Sequence, residues 1–573
     1  MTVVATAGHV DHGKSSLVLA LTGTDPDRFE EEKRRGLTID LGFAHTELPS
    51  GAALSFIDVP GHVRFLRNML AGVGGVSGCV FVVAATEGWK PQSEEHLRIL
   101  ELLGVRHGVI ALTKADLVDD ELLELAAMDV ADHVVGTFLE GAPMQPVSAT
   151  TGTGLDDLRC ALDDLVAHAG SVEDVGRPRL WLDRVFAAKG SGTVGTGTLV
   201  GGRLVHDQQV AIEPGSIPAR IRSIQTAGAS VEGIGPGHRV AVNLASVEHR
   251  DLARGHAVVE PDRWIITDRV DASLRVLDSL DHDVSRRGAF VAYIGSGEYP
   301  VRMRVLGSET LAPGSDGAVR LHLPVGLPLL PGDRYVLRES GRDETVGGGE
   351  VLDIAPVLRA ARAAPDRSIE RVVRERGWVS VDELERLTGE TVEPTLGSWV
   401  TTADAVADLV ASIEQRVAEA GAAGLDLAAF DDRDRAVLDR VETVVVDAGR
   451  VRPADAIDPF ENHPVLDELR GDLLRPPSIA GIDRGELREL VRRGHVIERD
   501  GIHFHADAID AAARTAARLL ADQPAGFTVA DFRDATGASR KYALPLVAEL
   551  DARGITRRRD DMRIAGPRLP EPA

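Results

Sequence analysis

The octapeptide GHVDHGKS, residues 8–15, constrains this chain more than any other stretch. It fits G-x-x-x-x-G-K-[ST] and stands where that pattern has physical meaning, between the strand-like run TVVATA and a helical segment that opens KSSLVLAL. A loop of this kind turns backbone N–H groups toward one point at a helix N-terminus, which makes a phosphate cradle. The expected contacts come from Asp11, His12, Gly13, Lys14, Ser15 and Ser16, with Lys14 reaching the β- and γ-phosphates and Ser15 ligating Mg²⁺. From Val3 to about Ala169, short β-branched runs alternate with helical patterns, so the first domain is predicted to be α/β with a parallel sheet.

Three more stretches follow in the order a guanine-nucleotide domain needs. DVPGH, Asp58 to His62, ends the strand LSFIDV, where Asp58 can hold the Mg²⁺ shell and the Gly61 N–H can sense the γ-phosphate. TKAD, Thr113 to Asp116, ends another strand; Asp116 can accept guanine N1–H and the exocyclic amine while the stem of Lys114 covers the ring, a donor pair that adenine lacks. SAT, Ser148 with Ala149 and Thr150, sits where a backbone N–H meets guanine O6. Between the phosphate loop and DVPGH, the segment Glu31 to Phe43 has the place of a switch, with Thr38 expected to reach Mg²⁺ and the γ-phosphate in the GTP state.

At 573 residues the chain exceeds one hydrophobic core, and about three to five domains are expected. A net charge of −25 argues against a generic coating of nucleic acid, so any such contact must be local. Cys79 and Cys160 cannot build a disulfide framework, which suits a reducing cytoplasm. The N-terminus has no leader pattern, and the longest apolar run, CVFVVAA, is far shorter than a membrane span, so a soluble protein with no membrane partner is expected.

After VEDVGRPRL the periodicity changes. Leu180 to about Asp353 reads as short strands broken by Gly and Pro, predicting two β-barrels that divide near EPDRWIITDRV. Beyond VLDIAPVLRAARAAPDR, short amphipathic helices precede brief β-like segments, and the last stretch reads helix, helix, helix, hairpin, the look of a winged helix-turn-helix. The fold class is therefore multidomain: an α/β P-loop GTPase domain over 1–174, β-barrels over 178–262 and 263–358, and C-terminal winged-helix repeats over 366–573. Four modules are expected there, the last at about 510–568.

Taken with GHVDHGKS and DVPGH, the stretch EEKRRGLTIDLGF resembles the translational GTPases of the elongation factor Tu class. The resemblance implies that His62 orients the attacking water and that Val10 and Leu37 form the apolar pair holding it back until the ribosome acts. Thr113 departs from that class's Asn, which takes away a side-chain amide contact and predicts moderate nucleotide affinity with spontaneous exchange. The Asp-Leu-Gly continuation, together with WLDRVFAAKGSGTVGTGTLVGG and GPGHRVAVNLA, resembles the selenocysteine-specific elongation factors rather than elongation factor Tu itself.

In that family Asp183, Arg184 and Arg239 match the pocket for the aminoacyl group. A selenol is far more acidic than a serine hydroxyl, so guanidinium groups could separate selenocysteinyl-tRNA from its seryl precursor by roughly 1.5–3 kcal/mol. The other reading of the same residues is that both arginines brace the barrel or its junction with the first domain, with Asp183 as their ion-pair partner.

The tail resembles the same family's winged-helix extension, which binds the messenger hairpin that specifies selenocysteine. Residues 401–470 carry 16 acidic and 7 basic side chains, whereas residues 537–568 carry 4 and 8, so only the last module is equipped to meet phosphate. Ser539, Arg540 and Lys541 at a helix start, and Arg557, Arg558 and Arg559 in the wing, are the candidates; Tyr542, Leu544 and Leu546 are expected to face the core. The implied function is a monomeric, cytoplasmic, GTP- and Mg²⁺-dependent carrier of selenocysteinyl-tRNA to the ribosome at a recoded UGA codon. Delivery of another tRNA, and a regulatory GTPase whose tail binds DNA or protein, remain the competing readings.

Overall fold

A computed structural model describes the chain except residues 1, 28–31, 33, 35–37, 63–64, 74, 171, 189–191, 448, 457–458, 480 and 572–573, and the side chains of 71 and 73. Leu37 and most of the charged half of the predicted switch lie outside the described residues. Two compact units are present, Met1–Thr401 and Thr402–Ala573.

The first unit opens with a six-stranded sheet: β1 (Thr2–Ala7), β2 (Gly42–Glu47), β3 (Ala53–Asp58), β4 (Gly78–Ala84), β5 (Gly108–Thr113) and β6 (Met144–Pro146), ordered β2-β3-β1-β4-β5-β6. All pairs are parallel except β2–β3, which is antiparallel at the edge. Strands buried on both faces read as continuous apolar runs, and alternate residues serve opposite cores. Val3, Ala5, Phe81 and Val83 join one cluster with the helix Pro91–Leu102; Val4, Val80 and Val82 join the other with the helices Lys14–Thr22 and Leu155–His168. The C-terminal ends of β1, β3, β5 and β6 gather the loops that carry most of the predicted nucleotide residues, as in other open α/β sheets.

Two barrels follow. In the first, Gln209–Glu213, Ala257–Val259, Arg179–Trp181, Gly192–Val200, His238–Ala245 and Ile217–Thr226 pair in that order, and the last pairs back with the first. Along His238–Ala245, Val240, Val242 and Leu244 point into the core, which leaves Arg239 on the outer face by strand alternation. The second barrel closes through Ile266–Val276, Asp316–Pro328, Gly297–Leu306, Phe290–Ile294, Arg334–Glu339 and Glu344–Asp353. The barrels are locked by Arg179, whose guanidinium donates to both carboxylate oxygens of Asp333 at 2.6 and 2.5 Å and to the Pro328 carbonyl at 2.7 Å. Helices Ile369–Arg376 and Val381–Thr388 pack Val372, Val373, Leu384 and Leu387 into the second barrel's own core, so this stretch extends the barrel's hydrophobic cluster.

The second unit repeats helix and hairpin. Hairpins Val444–Asp447/Arg450–Pro453 and Val496–Arg499/Ile502–His505 each follow short helices. The last repeat contains helices Ala508–Asp522, Val529–Thr536 and Arg540–Ala552, then the hairpin Thr556–Arg559/Met562–Ala565, with Phe527–Thr528 as a third strand: a winged helix. Both cysteines are free thiols. Among the described residues no helix is long and apolar enough to cross a membrane.

Candidate functional site

The phosphate loop is shaped by backbone that side chains resist. Gly8 has φ 132°, and a Cβ there would lie 2.1 Å from the Val82 carbonyl oxygen; Gly13, which precedes the helix Lys14–Thr22, has φ 86°. Two side chains on the helix Pro91–Leu102, which sequence reasoning missed, hold the loop from beneath. The Gly8 N–H donates to His96 Nδ1 at 3.0 Å and the Val10 N–H to Gln92 Oε1 at 3.0 Å. Their only sequence signal is an i, i+4 polar pair, which places both on one face of a helix whose Leu97, Ile99, Leu100 and Leu102 are buried. Burial above all holds the His96 ring neutral, far below the ordinary histidine range, as its acceptor role requires; burial likewise lowers His12 to about 4.

Lys14 is buried, and its ammonium donates to the carbonyls of Gly8 at 3.0 Å and His9 at 2.7 Å. Burial lowers its pKa to about 8 against the opposing pull of Asp58. Gly61 approaches this ammonium so closely that a Cβ would sit 2.5 Å from Nζ and 2.7 Å from the Val10 nitrogen. Glycine at 61 therefore lets the DVPGH backbone reach the loop. His62, partly buried, has its ring centroid 6.0 Å from that of Phe65.

Ser15, Thr38 and Asp58 come together as predicted for a cation site. Ser15 Oγ donates to Asp58 Oδ2 at 2.6 Å and lies 2.8 Å from Thr38 Oγ1. Thr6 Oγ1 fixes the other carboxylate oxygen at 2.7 Å while accepting from the Val59 N–H, and Thr38 donates to Asp27 at 3.0 Å. Burial pushes the carboxyl of Asp58 up, and that of Asp27 up to about 6. Hydroxyl and carboxylate oxygens, those of Thr38 and Asp58 buried and that of Ser15 partly so, are the donor set of a hard divalent cation, so the residues fit Mg²⁺.

At the base end, the Thr113 hydroxyl donates to the His12 carbonyl at 2.5 Å. This residue, expected to forfeit a contact, thus ties β5 to the phosphate loop. Lys114 has a left-handed backbone (φ 57°) and its ammonium lies 3.5 Å from Glu87; Asp116 is exposed in the short turn Ala115–Leu117. Ser148 is buried, its N–H donating to Thr153 and its hydroxyl accepting from Thr151, which shapes the turn bearing Ala149 and Thr150. Asp11, exposed with φ 62°, and Ser16 flank the loop and the helix start.

Asp183, Arg184 and Arg239 meet where the first barrel adjoins β2. Arg239 grips Asp183 with both terminal nitrogens, at 2.5 and 3.0 Å, and Thr196 donates to the same carboxylate at 2.8 Å. Its guanidinium lies 3.4 Å from the ring centroid of Phe43, and that of Arg184 lies 5.1 Å from it. Arg184 also donates to the Leu41 carbonyl at 3.0 Å. Beside them a cleft of about 320 Å³ is lined by Phe43, His45, Thr196, Gln225, Thr226 and Arg239 among others. Arg254, unremarked in the sequence, joins the groups: it bonds Asp40 at 2.8 Å, Asn68 at 2.7 Å and the Asp183 carbonyl at 2.9 Å.

In the last winged helix Ser539 is the N-cap residue of Arg540–Ala552, and Ser539, Arg540, Lys541, Arg557, Arg558 and Arg559 are all exposed. Leu546 is buried and Tyr542 partly so, but Leu544 is 40% exposed, against expectation. The helix buries Ala543, Leu546, Val547 and Leu550, and position 544 falls on the opposite face, three and four residues after Lys541 and Arg540.

A strand–loop–helix phosphate cradle, a carboxylate–hydroxyl cluster and a base loop on one sheet, followed by two closed barrels, define a GTP-binding domain of the elongation factor Tu class of GTPases. Residues 1–168 match the family model for the elongation factor Tu GTP binding domain, and residues 518–565 match that for the elongation factor SelB winged helix. The chain is similar to selenocysteine-specific elongation factors of Desulfomicrobium baculatum (39% identical over 360 residues, 63% of this chain) and Escherichia coli (34% over 412 residues, 69%). The matches span 56% and 65% of those relatives' own lengths. A crystal structure of a bacterial selenocysteine-specific elongation factor superposes over 99% of this chain and 100% of its own, with a TM-score of 0.80 and 26% identity. The chain belongs to the selenocysteine-specific elongation factor family.

Proposed function

We propose that this protein is a cytoplasmic carrier of selenocysteinyl-tRNA, which it brings with GTP and Mg²⁺ to the ribosomal A site at a recoded UGA codon, while its C-terminal winged helix holds a messenger hairpin. In this reading residues 1–174 bind nucleotide, the barrels over 178–262 and 263–358 carry tRNA, and the last winged-helix module, about 510–568, holds the messenger hairpin. The chain acts as a monomer.

The observation that carries the reading is the stacking of Arg184 and Arg239 around Phe43, directly after the Asp40-Leu41-Gly42 stretch of the switch. Cationic groups tied to the switch side of the nucleotide domain can report the nucleotide state to a pocket that prefers an anionic aminoacyl group. Asp183 holds Arg239 with correct orientation, and a selenolate would compete for the same guanidinium with a charge-assisted contact.

Hydrolysis needs positioning rather than covalent chemistry. His62 orients a water for attack on the γ-phosphorus; the bond to the β–γ bridging oxygen breaks, and inorganic phosphate leaves GDP. Lys14 and backbone N–H groups of residues 11–14 stabilise the charge spreading over the transferring phosphoryl group. Ser15, Thr38 and Asp58 would hold Mg²⁺, which would supply neutralisation of the phosphate charge. His62→Ala keeps GTP and tRNA binding and loses ribosome-stimulated turnover.

The decisive experiment measures the affinity of Arg239→Ala for selenocysteinyl- and seryl-tRNA. A loss roughly 10-fold or more greater for the selenocysteinyl form supports the reading. An equal loss for both leaves only the bracing role and sinks the selenolate pocket.

A further inference from the structure

The geometry points to a second, transition-metal site, on the rim of the second barrel, formed by His282, Glu339 and Glu344. The two glutamates end and begin neighbouring strands and face each other directly across the hairpin register. Like charges so placed repel, so the pair is stabilised by positive charge brought beside it. His282 supplies one face of that gap. Its Nε2 lies 3.3 Å from Glu339 Oε2 and 3.7 Å from Glu344 Oε1, and one ligand atom from each residue falls within 4.8 Å of the others.

Those distances match a ligand set better than an ion pair. Donors at ~2.0–2.1 Å around a tetrahedral Zn²⁺ stand about 3.4 Å apart. His282 Nε2 and Glu344 Oε1 are, moreover, both buried atoms that make no well-aligned hydrogen bond among the described residues, His282 facing Glu339 at 3.3 Å. On its other edge, His282 Nδ1 lies 3.0 Å from Asp281 Oδ1. A carboxylate behind the ring fixes the tautomer that leaves Nε2 free to ligate, the arrangement usual behind metal-bound histidines.

Charge agrees. Asp281, Glu339 and Glu344 bring three negative charges, and Arg342, 3.5–3.9 Å from them, brings one positive, leaving a deficit of two when His282 is neutral and ligating. Arg342 is half exposed and holds its partners only at long range, so it can withdraw when a dication enters. Imidazole with two carboxylates favours Zn²⁺, or Mn²⁺ and Co²⁺, over the Mg²⁺ suited to the all-oxygen cluster at Ser15, Thr38 and Asp58. A fourth position remains open to water, since Glu344 is 34% exposed. The bound ion would pin the 281–283 loop to the hairpin 334–353.

The test uses the full chain, stripped of metal and then saturated with Mg²⁺ and GDP so that the nucleotide site is filled. Zn²⁺ is titrated by calorimetry and Co²⁺ by visible absorption. The wild type is expected to bind one Zn²⁺ per chain more than His282→Ala or Glu344→Gln, to show a Co²⁺ d–d band that both variants lose, and to gain thermal stability with Zn²⁺ that neither variant gains. Retained GDP binding and an unchanged circular dichroism spectrum show that the variants are folded, and Glu344→Gln preserves side-chain size if His282→Ala disturbs the loop. Equal Zn²⁺ uptake by wild type and both variants, or none by the wild type, overturns the site and leaves a protonated histidine between the glutamates.

Discussion

The hydroxyl of Thr113 donates to the His12 carbonyl at 2.5 Å and so joins the end of β5 to the loop 8–15. A second carbonyl, that of Val83, lies 3.3 Å from the same oxygen. Thr113 is buried, so removing its hydroxyl strands the His12 carbonyl without a donor, at a cost of about 1–3 kcal/mol. Thr113→Val is expected to weaken GDP binding on the order of 10-fold or more, mostly through faster release, whereas Thr113→Ser, which keeps the donor, stays within a few-fold of wild type. Stopped-flow release of a fluorescent GDP decides it; equal release from both variants would show that the hydroxyl does nothing for the loop.

The two histidines of the phosphate loop's underside make nucleotide-domain stability depend on pH. His12 is lowered to about 4 and His96 further, in both cases first by burial. A histidine kept neutral in the fold binds fewer protons than the same residue in the unfolded chain, so unfolding takes up protons below the ordinary value of 6.5. Stability is therefore complete above that value and is lost as pH falls from 6.5 toward 4, by up to about 3 kcal/mol for His12 alone. The raised carboxyls of Asp27 and Asp58 act in the opposite sense over the same range, so the histidine contribution is read from the difference between two proteins. Thermal unfolding of the nucleotide-free wild type and of His96→Gln, which offers Gly8 an amide oxygen that does not titrate, is compared at pH 7.5, 6 and 5; the wild type should lose stability relative to the variant as pH falls, and a difference that does not change with pH contradicts the argument.

Much of this architecture was legible because a few positions allow only one kind of residue. Glycine at 8 and 13 is dictated by positive-φ backbone, lysine at 14 and aspartate at 58 stand where the proposed phosphate and cation contacts need them, and the spacing between them follows from strand and helix lengths. What escaped was the scaffolding contributed from far along the chain. Gln92 and His96 act 82 and 88 residues away from the atoms they hold, and Arg254 lies 214 residues from Asp40. No local pattern marks a polar side chain whose partner is a backbone N–H on another element. Leu544 was misjudged for a different reason: a helix with Pro545 inside and residues 543, 546, 547 and 550 buried leaves one apolar residue facing out, and hydrophobicity alone does not tell which.

Arg254 is expected to couple the switch to the first barrel. Burial raises the Asp40 carboxyl, but the hydrogen bond and charge of Arg254 outweigh it, and the net shift is downward. The guanidinium also holds Asn68, whose own amide donates to the Ile39 carbonyl at 2.7 Å. Arg254→Ala removes three hydrogen bonds at once while leaving the phosphate loop untouched. Nucleotide affinity should stay within a few-fold of wild type, and hydrogen exchange of the Asp40–Phe43 amides should quicken by roughly 10-fold or more. Unchanged protection there would mean that barrel and switch are held together without it.

The outward placement of Leu544 changes what the last helix offers to RNA. Arg540 and Lys541 stand in the first turn, where their charge adds to the positive end of the helix dipole, and the ammonium of Lys541 lies 5.4 Å from the centroid of the Tyr542 ring. Leu544 follows on the same face, an apolar surface against which an unstacked base can lie, as bases of RNA loops do against protein side chains. The two kinds of contact answer differently to salt. On the proposed messenger reading, Arg540→Ala or Lys541→Ala takes away one phosphate contact and should lower the slope of log affinity against log salt by about 1, weakening hairpins of any loop sequence alike. Leu544→Ala should leave that slope and the melting temperature unchanged, because the side chain is exposed, yet reduce discrimination between loop sequences. Gel-shift titrations of the full chain at several salt concentrations, with a minimal hairpin and a loop-substituted control, separate the two. A Leu544→Ala protein that melts several degrees lower would return the residue to the core, and one that binds both hairpins as the wild type does would take it out of the RNA surface.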